Sequence, residues 1–434
     1  MNEHANEEKK IEIGSIITIA MVLFANLVIE NSKYLIFVIL ILILSIGYTI
    51  FLARKNKENI IKTFSNYSIL WILLFAIEMF FYGYFGEDKS AYSLKYHILN
   101  IFWLVIVLFI LNYNSKNMIR VIAKSASIVI IMMSIFIICT NYSNIISVIF
   151  DKDNIKRIGY TAVGNVNTTA VTYIFLLIPV LYEILVNKNK KYIPIAILDI
   201  IFMLLTGSKK GIISLILMIG IIAIGKATSK KKLIKSISII GIAVLIICAI
   251  CYLIPILHEL IWNRFEAMIN SVINFDINSQ SSTNLRIKFI LTALQKAWDK
   301  PFFGHGWSSF ANLYGYTSLY DMNLYTHNNY AEVLFSFGLA GFFLYYWFPI
   351  KNIKDTVKSS DLKEKKILNW IYIIVLLFID LGTVSCYSTI ISFLGFAIVE
   401  LNINDKKSIQ FAKLISKRKN INDNKKNNYS TKDN

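Results

Sequence analysis

Residues 35–52 read LIFVILILILSIGYTIFL, eighteen positions without a charge. As a helix rising about 1.5 Å per residue the run is about 27 Å long, close to the roughly 30 Å hydrocarbon layer of a bilayer. Similar runs recur outward from it in both directions, at 13–30, 34–53, 68–85, 97–113, 125–140, 169–186, 193–206, 211–225, 237–257, 329–350, 367–383 and 385–401. Twelve helices of about 20 residues take a little over half of the 434 positions, which leaves no room for a large soluble catalytic domain. Composition agrees, with 56% hydrophobic and 17% charged residues against about 25% charged in an ordinary soluble domain. The expected fold is all-α: a polytopic integral membrane helical bundle of about twelve transmembrane helices.

The formal charge of +18 would suggest nucleic acid in a soluble protein, but here the placement of the charges explains it. With the N-terminus inside, segments 1–12, 54–67, 114–124, 187–192, 226–236, 351–366 and 402–434 hold about 32 of the 45 Lys and Arg. The short loops Arg54-Lys55-Asn56-Lys57 and Lys230-Lys231-Lys232 agree. Both termini are therefore expected in the cytoplasm, with a membrane domain over 1–401 and a basic, disordered tail over 402–434. No cleavable signal is expected, because the first apolar run is followed by another almost at once. Cys139, Cys248, Cys251 and Cys386 lie in or at the ends of apolar runs, which excludes a secreted disulfide framework, and the Cys248-x-x-Cys251 pair reads as small packing residues one turn apart. Glu78, Asp199 and Asp380 within spans leave two possibilities open, an ion or proton pathway and helix-packing partners.

Positive charge that this orientation places outside is the informative exception. Lys152, Lys156 and Arg157 lie in the loop 141–168, which runs on to Asn167. Lys209-Lys210 sits in the short turn Thr206-Gly207-Ser208-Lys209-Lys210-Gly211, where the two lysines either snorkel to headgroups or bind an anion. The long loop 258–328 is either functional or disordered, and its sequence argues for order. Ser281–Trp298 has a helical period in Leu285, Phe289, Ile290, Ala293, Leu294 and Ala297, and Pro301 follows its stop. This helix is expected to lie at the interface with its apolar face on the bundle or lipid, with Arg286 in its first turn and Arg264 converging on the same mouth. Next comes Pro301-Phe302-Phe303-Gly304-His305-Gly306-Trp307-Ser308-Ser309-Phe310, whose glycines permit a tight turn. Trp307, Tyr314, Tyr316, Tyr320 and Tyr325 either stack on sugar rings or anchor the interface, and composition leaves both open. The loop closes with Tyr325-Thr326-His327-Asn328-Asn329-Tyr330-Ala331-Glu332. Asn329 and Glu332 have capping-box spacing, which places His327 just before a helix whose positive end favours a neutral imidazole and attracts an anion. Such a site suits a base working beside a phosphate, although a lone loop histidine is more often neither.

Taken in order, Arg157…Asn167, Thr206-Gly207-Ser208-Lys209, Arg286, Pro301-Phe302-Phe303-Gly304-His305-Gly306, His327-Asn328 with Glu332, and Gly338…Gly341 resemble the O-antigen ligase and polymerase family, most specifically over 280–345. The resemblance implies a multispanning bacterial enzyme of the cytoplasmic membrane that takes an undecaprenyl-diphosphate-linked glycan as donor on the outer face. It makes Arg286 and His327 the catalytic pair. Lys209 stands where the family usually has arginine, which keeps the charge but loses the bidentate fork, and Lys210 beside it can compensate. Arg157, Asn167, Arg264, His305, Trp307, Asn328 and Glu332 complete the expected diphosphate or glycan site.

The implied chemistry needs neither metal nor other cofactor. A diphosphate is a good leaving group whose developing charge cations can absorb, and a neutral His327 can take the acceptor hydroxyl's proton in an inverting displacement. Asp151-Lys152-Asp153 is a D-x-D pattern of the kind that holds a divalent cation, but it lies away from the matched motifs; His258, His305 and His327 match no zinc spacing. The resemblance points to a polymerase joining repeat units of a surface polysaccharide. A ligase passing finished glycan to another acceptor remains open, as does a transporter or flippase of lipid-linked sugars from a different class. Lipid-linked glycan, membrane lipid and other polysaccharide-assembly proteins are the expected partners, and nucleic acid is not.

Overall fold

Apolar runs become helices here, and caps, prolines and one glycine decide where each ends. A computed structural model describes residues 2–28, 32–55, 73, 75, 91–150, 157–159, 166–274, 282–306, 309–310, 325–360, 362–387 and 391–403. In chain order the helices are α1 (Asn2–Val28), α2 (Leu35–Lys55), α3 (Ala91–Tyr113), α4 (Met118–Thr140), α5 (Tyr142–Phe150), α6 (Val166–Leu185), α7 (Ile193–Leu205), α8 (Lys209–Lys226), α9 (Lys230–Leu253), α10 (Asn263–Ile273), α11 (Ser282–Ala297), α12 (Asn329–Lys358), α13 (Lys363–Asp380) and α14 (Ile391–Ile403). No strand occurs among the described residues.

Six of these helical stretches are long and apolar enough to cross a membrane: Asn6–Val28, Leu35–Lys55, Ser115–Thr140, Val166–Leu185, Lys230–Leu253 and Asn329–Lys358. Among the described residues the expected count of twelve is not confirmed. α7, of thirteen residues, is about 20 Å long, well short of a bilayer core, and α14 is likewise short. α8 and α13, eighteen residues each, carry lysines in their end turns. Apart from Leu73 and Phe75, the run at 68–85 lies outside the described residues, as do Glu78, Lys152, Lys156, the Asp151-Lys152-Asp153 pattern, Trp307, Tyr314, Tyr316, Tyr320 and the tail from 404.

Buried apolar side chains from most helices merge into one core, which includes Ala20, Trp103, Val129, Ile178, Leu215, Val375 and Ala397. α1 packs on α2 and α4, α4 on α6, α6 on α7, α8 on α9 and α13, and α11 on α12. Polar contacts then sort the connections to two ends. At one end Lys124 pairs with Glu12, Lys351 with Glu400, Lys363 Nζ donates to Ala227 O and Asn402 Nδ2 to Lys365 O. At the other end lie the 206–210 turn, the start of α12 and the residues that follow α13.

The helix expected over 281–298 forms as α11, with its apolar face on the bundle. Phe289 and Ala293 join Phe310, Ala331 and Phe335 in a small second core, so its apolar stripe is spent on the first turns of α12. Trp298, Leu291 and Leu294 remain exposed.

Candidate active site

Backbone contact builds the frame. α12 is broken at Gly338, whose φ is +63° and ψ −163°, and the freed carbonyls of the preceding turn need donors. The Pro301–Gly306 turn supplies them: His305 N donates to Phe335 O at 2.9 Å and Gly306 N to Ser336 O at 2.9 Å. In return Leu339 N donates to Pro301 O at 2.8 Å and Ala340 N to Phe302 O at 3.0 Å. The two strands of backbone lie so close that a Cβ on Gly338 would stand 2.5 Å from Phe302 C, and one on Gly304 2.5 Å from Phe337 N. Glycine is required at both, by contact and by positive φ. Gly338→Ala is therefore expected to destabilise the protein by at least about 3 kcal/mol, read as a lowered melting temperature in detergent. Gly220→Ala, where nothing lies within 4 Å of the added carbon, is the control and should melt as the native protein does or slightly higher.

Hydrogen bonds hold the chain entering α12 in an unusual shape. Asn328, not Asn329, is the N-cap, with Oδ1 accepting from Ala331 N at 3.0 Å and Nδ2 donating to Leu381 O at 3.1 Å. Glu332 is buried and reaches back past the cap, its Oε2 accepting Thr326 N at 2.9 Å. Thr326 Oγ1 donates to Asn328 O at 2.8 Å. Between these anchors His327 takes φ +58°, a region uncommon for a side chain of its size. Asn329 turns inward: its Nδ2 donates to Tyr346 OH and to Asp380 Oδ2, and its Oδ1 accepts Cys386 N. Asp380 also accepts from Ser385 Oγ and Tyr346 OH. Asp380 is thus tied between α12, α13 and the 385–387 segment.

Five cations gather around this loop. Arg157 Nε donates to Thr206 O at 2.7 Å, and its Nη2 to Asn167 Oδ1 at 3.0 Å. Lys209 Nζ donates to Arg264 O at 3.1 Å, and Lys210 Nζ to Thr383 Oγ1 at 2.7 Å. Gly207, at φ +58°, lets the turn pass Leu260, whose carbonyl oxygen would stand 2.7 Å from an added Cβ. Arg286 leads down the first turns of α11. Among the described residues no carboxylate pairs with Lys209, Lys210, Arg264 or Arg286.

Electrostatics records how tightly they are grouped. Burial first, then Arg264, Arg286 and Arg157, lowers Lys209 to about 8. Burial, then Arg286 and Arg157, lowers Lys210 to about 7. Arg264 is lowered by burial and by Arg286, and Arg286 chiefly by burial. His327, packed against the Tyr325 ring with centroids 4.2 Å apart, is pushed down to about 3 by burial, then by Arg286 and Lys210. It is therefore neutral across the physiological range. The lysine values give a pH dependence with a definite sign. A lowered lysine is cationic only below its own pKa, so the empty site loses up to two charges as pH rises through 7 and 8. Sulfate, which does not itself titrate there, should bind about tenfold more weakly at pH 9 than at pH 6, with proton uptake on binding near pH 7.5 in calorimetry. An affinity flat from pH 6 to pH 9 would contradict this.

Arg157, Asn167, Lys209, Lys210, Arg264, Arg286 and His327 thus come together. Asn328 and Glu332 lie beside them but their side chains are spent on capping and bracing the histidine loop. His305 stands apart, its ring stacked on Phe335 at 4.6 Å and bonded through Nε2 to Lys296 O at 2.9 Å, so it fastens the turn to α11. Among the described residues no three His, Cys, Asp or Glu side chains cluster as metal ligands would. Thr383, which positions Lys210, was not singled out from the sequence; a small hydroxyl after a span carries no signal until the fold sets a lysine against it.

Residues 194–346 match a family model described as O-antigen ligase. The chain carries an O-antigen ligase-family domain. The matched segment holds the 206–210 turn, Arg264, Arg286, the Pro301–Gly306 turn, His327 and Gly338, whereas Arg157 and Asn167 precede it. No curated protein matches the chain. Together with its apolar helices, this domain makes the chain a multi-pass membrane protein that handles glycans, and the family implies a lipid-linked glycan as substrate.

Proposed function

We propose that the O-antigen ligase-family domain is a glycosyltransferase that uses an undecaprenyl-diphosphate-linked oligosaccharide and joins repeat units of a surface polysaccharide. In this reading the site lies on the outer face of the bacterial cytoplasmic membrane and both termini are cytoplasmic. The observation that carries it is the convergence of Arg157, Lys209, Lys210, Arg264 and Arg286 on a histidine held neutral. Buried cations that repel one another are an unfavourable arrangement in an empty site, and a bound diphosphate relieves it.

The acceptor hydroxyl attacks the anomeric carbon and gives its proton to His327. The bond from that carbon to the diphosphate oxygen breaks with its electron pair going to the diphosphate. Arginine and lysine side chains stabilise the charge that develops there, as donors aimed at a leaving group do in other transferases. An entering diphosphate also offsets Arg286 and Lys210, which raises the His327 pKa from its value in the empty site and makes it a better base at the moment of attack. One displacement of this kind inverts the anomeric centre.

The match to a model described as a ligase supports a second reading, in which finished glycan passes to a different acceptor. One reconstitution tests both. Purified protein in lipid nanodiscs, given only lipid-linked repeat units and excess chelator, should produce a ladder of polymer. Product that forms only when a separate glycolipid acceptor is added would mark the ligase. Activity that returns only with magnesium or manganese would move the chemistry toward Asp151 and Asp153.

A further inference from the structure

Charge along α12 marks its depth in the membrane. From Val333 to Ile350 it has eighteen residues without a charge, bounded by the buried Glu332 and by Lys351, which pairs with Asp355 and Glu400. At about 1.5 Å per residue this stretch covers about 27 Å, nearly the whole of a roughly 30 Å hydrocarbon layer. Leu339 and Ala340, whose N–H groups donate to Pro301 O and Phe302 O, stand about 10 Å along it from the Glu332 end. The Pro301–Phe303 turn is tied to the helix at that level, below the surface at which the hydrocarbon begins.

The residues there suit such a place. Trp298, Phe302 and Phe303 are 69%, 68% and 63% exposed, a costly arrangement in water for three large rings so close in sequence. Farther along α12, Phe343 and Trp347, four residues apart and so on one face, are exposed as well. Irregular backbone is tolerated in hydrocarbon only where protein satisfies its polar groups, and hydrogen bonds do so here for Pro301 O, Phe302 O, Gly304 N, His305 N and Gly306 N. Pro301 has no N–H to satisfy. Of the charged neighbours, Asp299 pairs with Lys296, and the Lys300 stem is long enough to carry its ammonium back to the headgroups. We propose that the Pro301–Phe303 turn is a re-entrant anchor, inserted from the active-site end among the acyl chains of bilayer phospholipid, with Trp298, Phe302 and Phe303 in contact with them. A platform for sugar rings fits less well, because Phe302 and Phe303 have no polar tip to bond a hydroxyl. The anchor fixes the depth of α11, the helix that carries Arg286, from its C-terminal end.

The test uses the native full chain in phosphatidylcholine nanodiscs and needs no substrate. A phosphatidylcholine carrying a diazirine at mid-chain should, on photolysis, label Trp298, Phe302 and Phe303 as readily as Phe343. Hydroxyl radicals generated in the water should oxidise the same three residues no faster than the fully buried Phe335. Rapid oxidation without lipid label would place the turn in water and overturn the proposal. Labelling that a soluble oligosaccharide displaces would mark a glycan platform and overturn it as well. Phe302→Asp gives a second, independent measurement. A carboxylate on so short a side chain cannot reach the headgroups from that depth, so this variant should melt several degrees lower in nanodiscs while Phe302→Leu melts as the native protein does. Equal melting of the two variants would overturn the anchor.

Discussion

Replacing His327 with alanine is expected to lower turnover by about 10²–10⁴-fold, the range for loss of a positioned general base. The side chain is buried among cations that keep it neutral, and His305 is held elsewhere, fastened to Lys296 O and stacked on Phe335. Loss of a base acts on the chemical step, so kcat and kcat/KM should fall together while KM for the donor moves little. His327 sits at φ +58°, where alanine is strained, so the alanine variant alone would mix folding with chemistry. His327→Asn separates them, because asparagine tolerates that backbone shape and takes no proton at neutral pH. Both variants should accumulate single repeat units on the lipid carrier in cells lacking the native copy, with protein levels in the membrane followed in parallel. Native chain lengths from a well-expressed His327→Asn variant would remove the base assignment.

Arg286→Ala should cost about 10²–10³-fold in kcat/KM, as does removal of one preorganised donor to a developing anion. Arg286 contributes to lowering the pKa of Lys209, Lys210, Arg264 and His327 alike, so it sits among all the groups that hold the donor and the base. Its loss should therefore also leave a mark that no structural defect would copy: with one neighbouring cation gone, Lys210 keeps its proton to higher pH, and the weakening of sulfate binding shifts upward by a measurable part of a pH unit. Arg286→Lys should retain part of the rate, since charge survives, but not the planar fork that grips two oxygens at once. A lysine variant as active as the native protein would mean that the arginine supplies charge and nothing more. An alanine variant with native kcat/KM would remove Arg286 from the site.

Much of this was legible in the residues. Long apolar runs can form only helices in a bilayer, because each helix satisfies its own backbone there, so the all-helical fold was readable from runs such as 35–52. Lys209, Lys210, Arg264, Arg286 and His327 were readable as well, because charge beside apolar runs is costly and stands out. The count of crossings was not: six described helices are long and apolar enough to cross a membrane, whereas α7 has only thirteen residues and α8 and α13 carry lysines in their end turns. Capping was read one residue late, since Asn328 and Asn329 are alike in sequence and differ only in that one faces the helix start and the other the Asp380 carboxylate.

Local chemistry by itself thus determined which segments are helices and which side chains can carry charge or a proton, for both depend on a residue and its near neighbours. Tertiary structure alone decided the rest. Gly304 and Gly338 are needed because two distant backbones touch there. Glu332 and Asn328 brace the histidine loop because Thr326 and Leu381 come within hydrogen-bond reach. His327 is neutral because burial and cations from α8 and α11 meet around it, and a field of that kind exists only once the helices have packed.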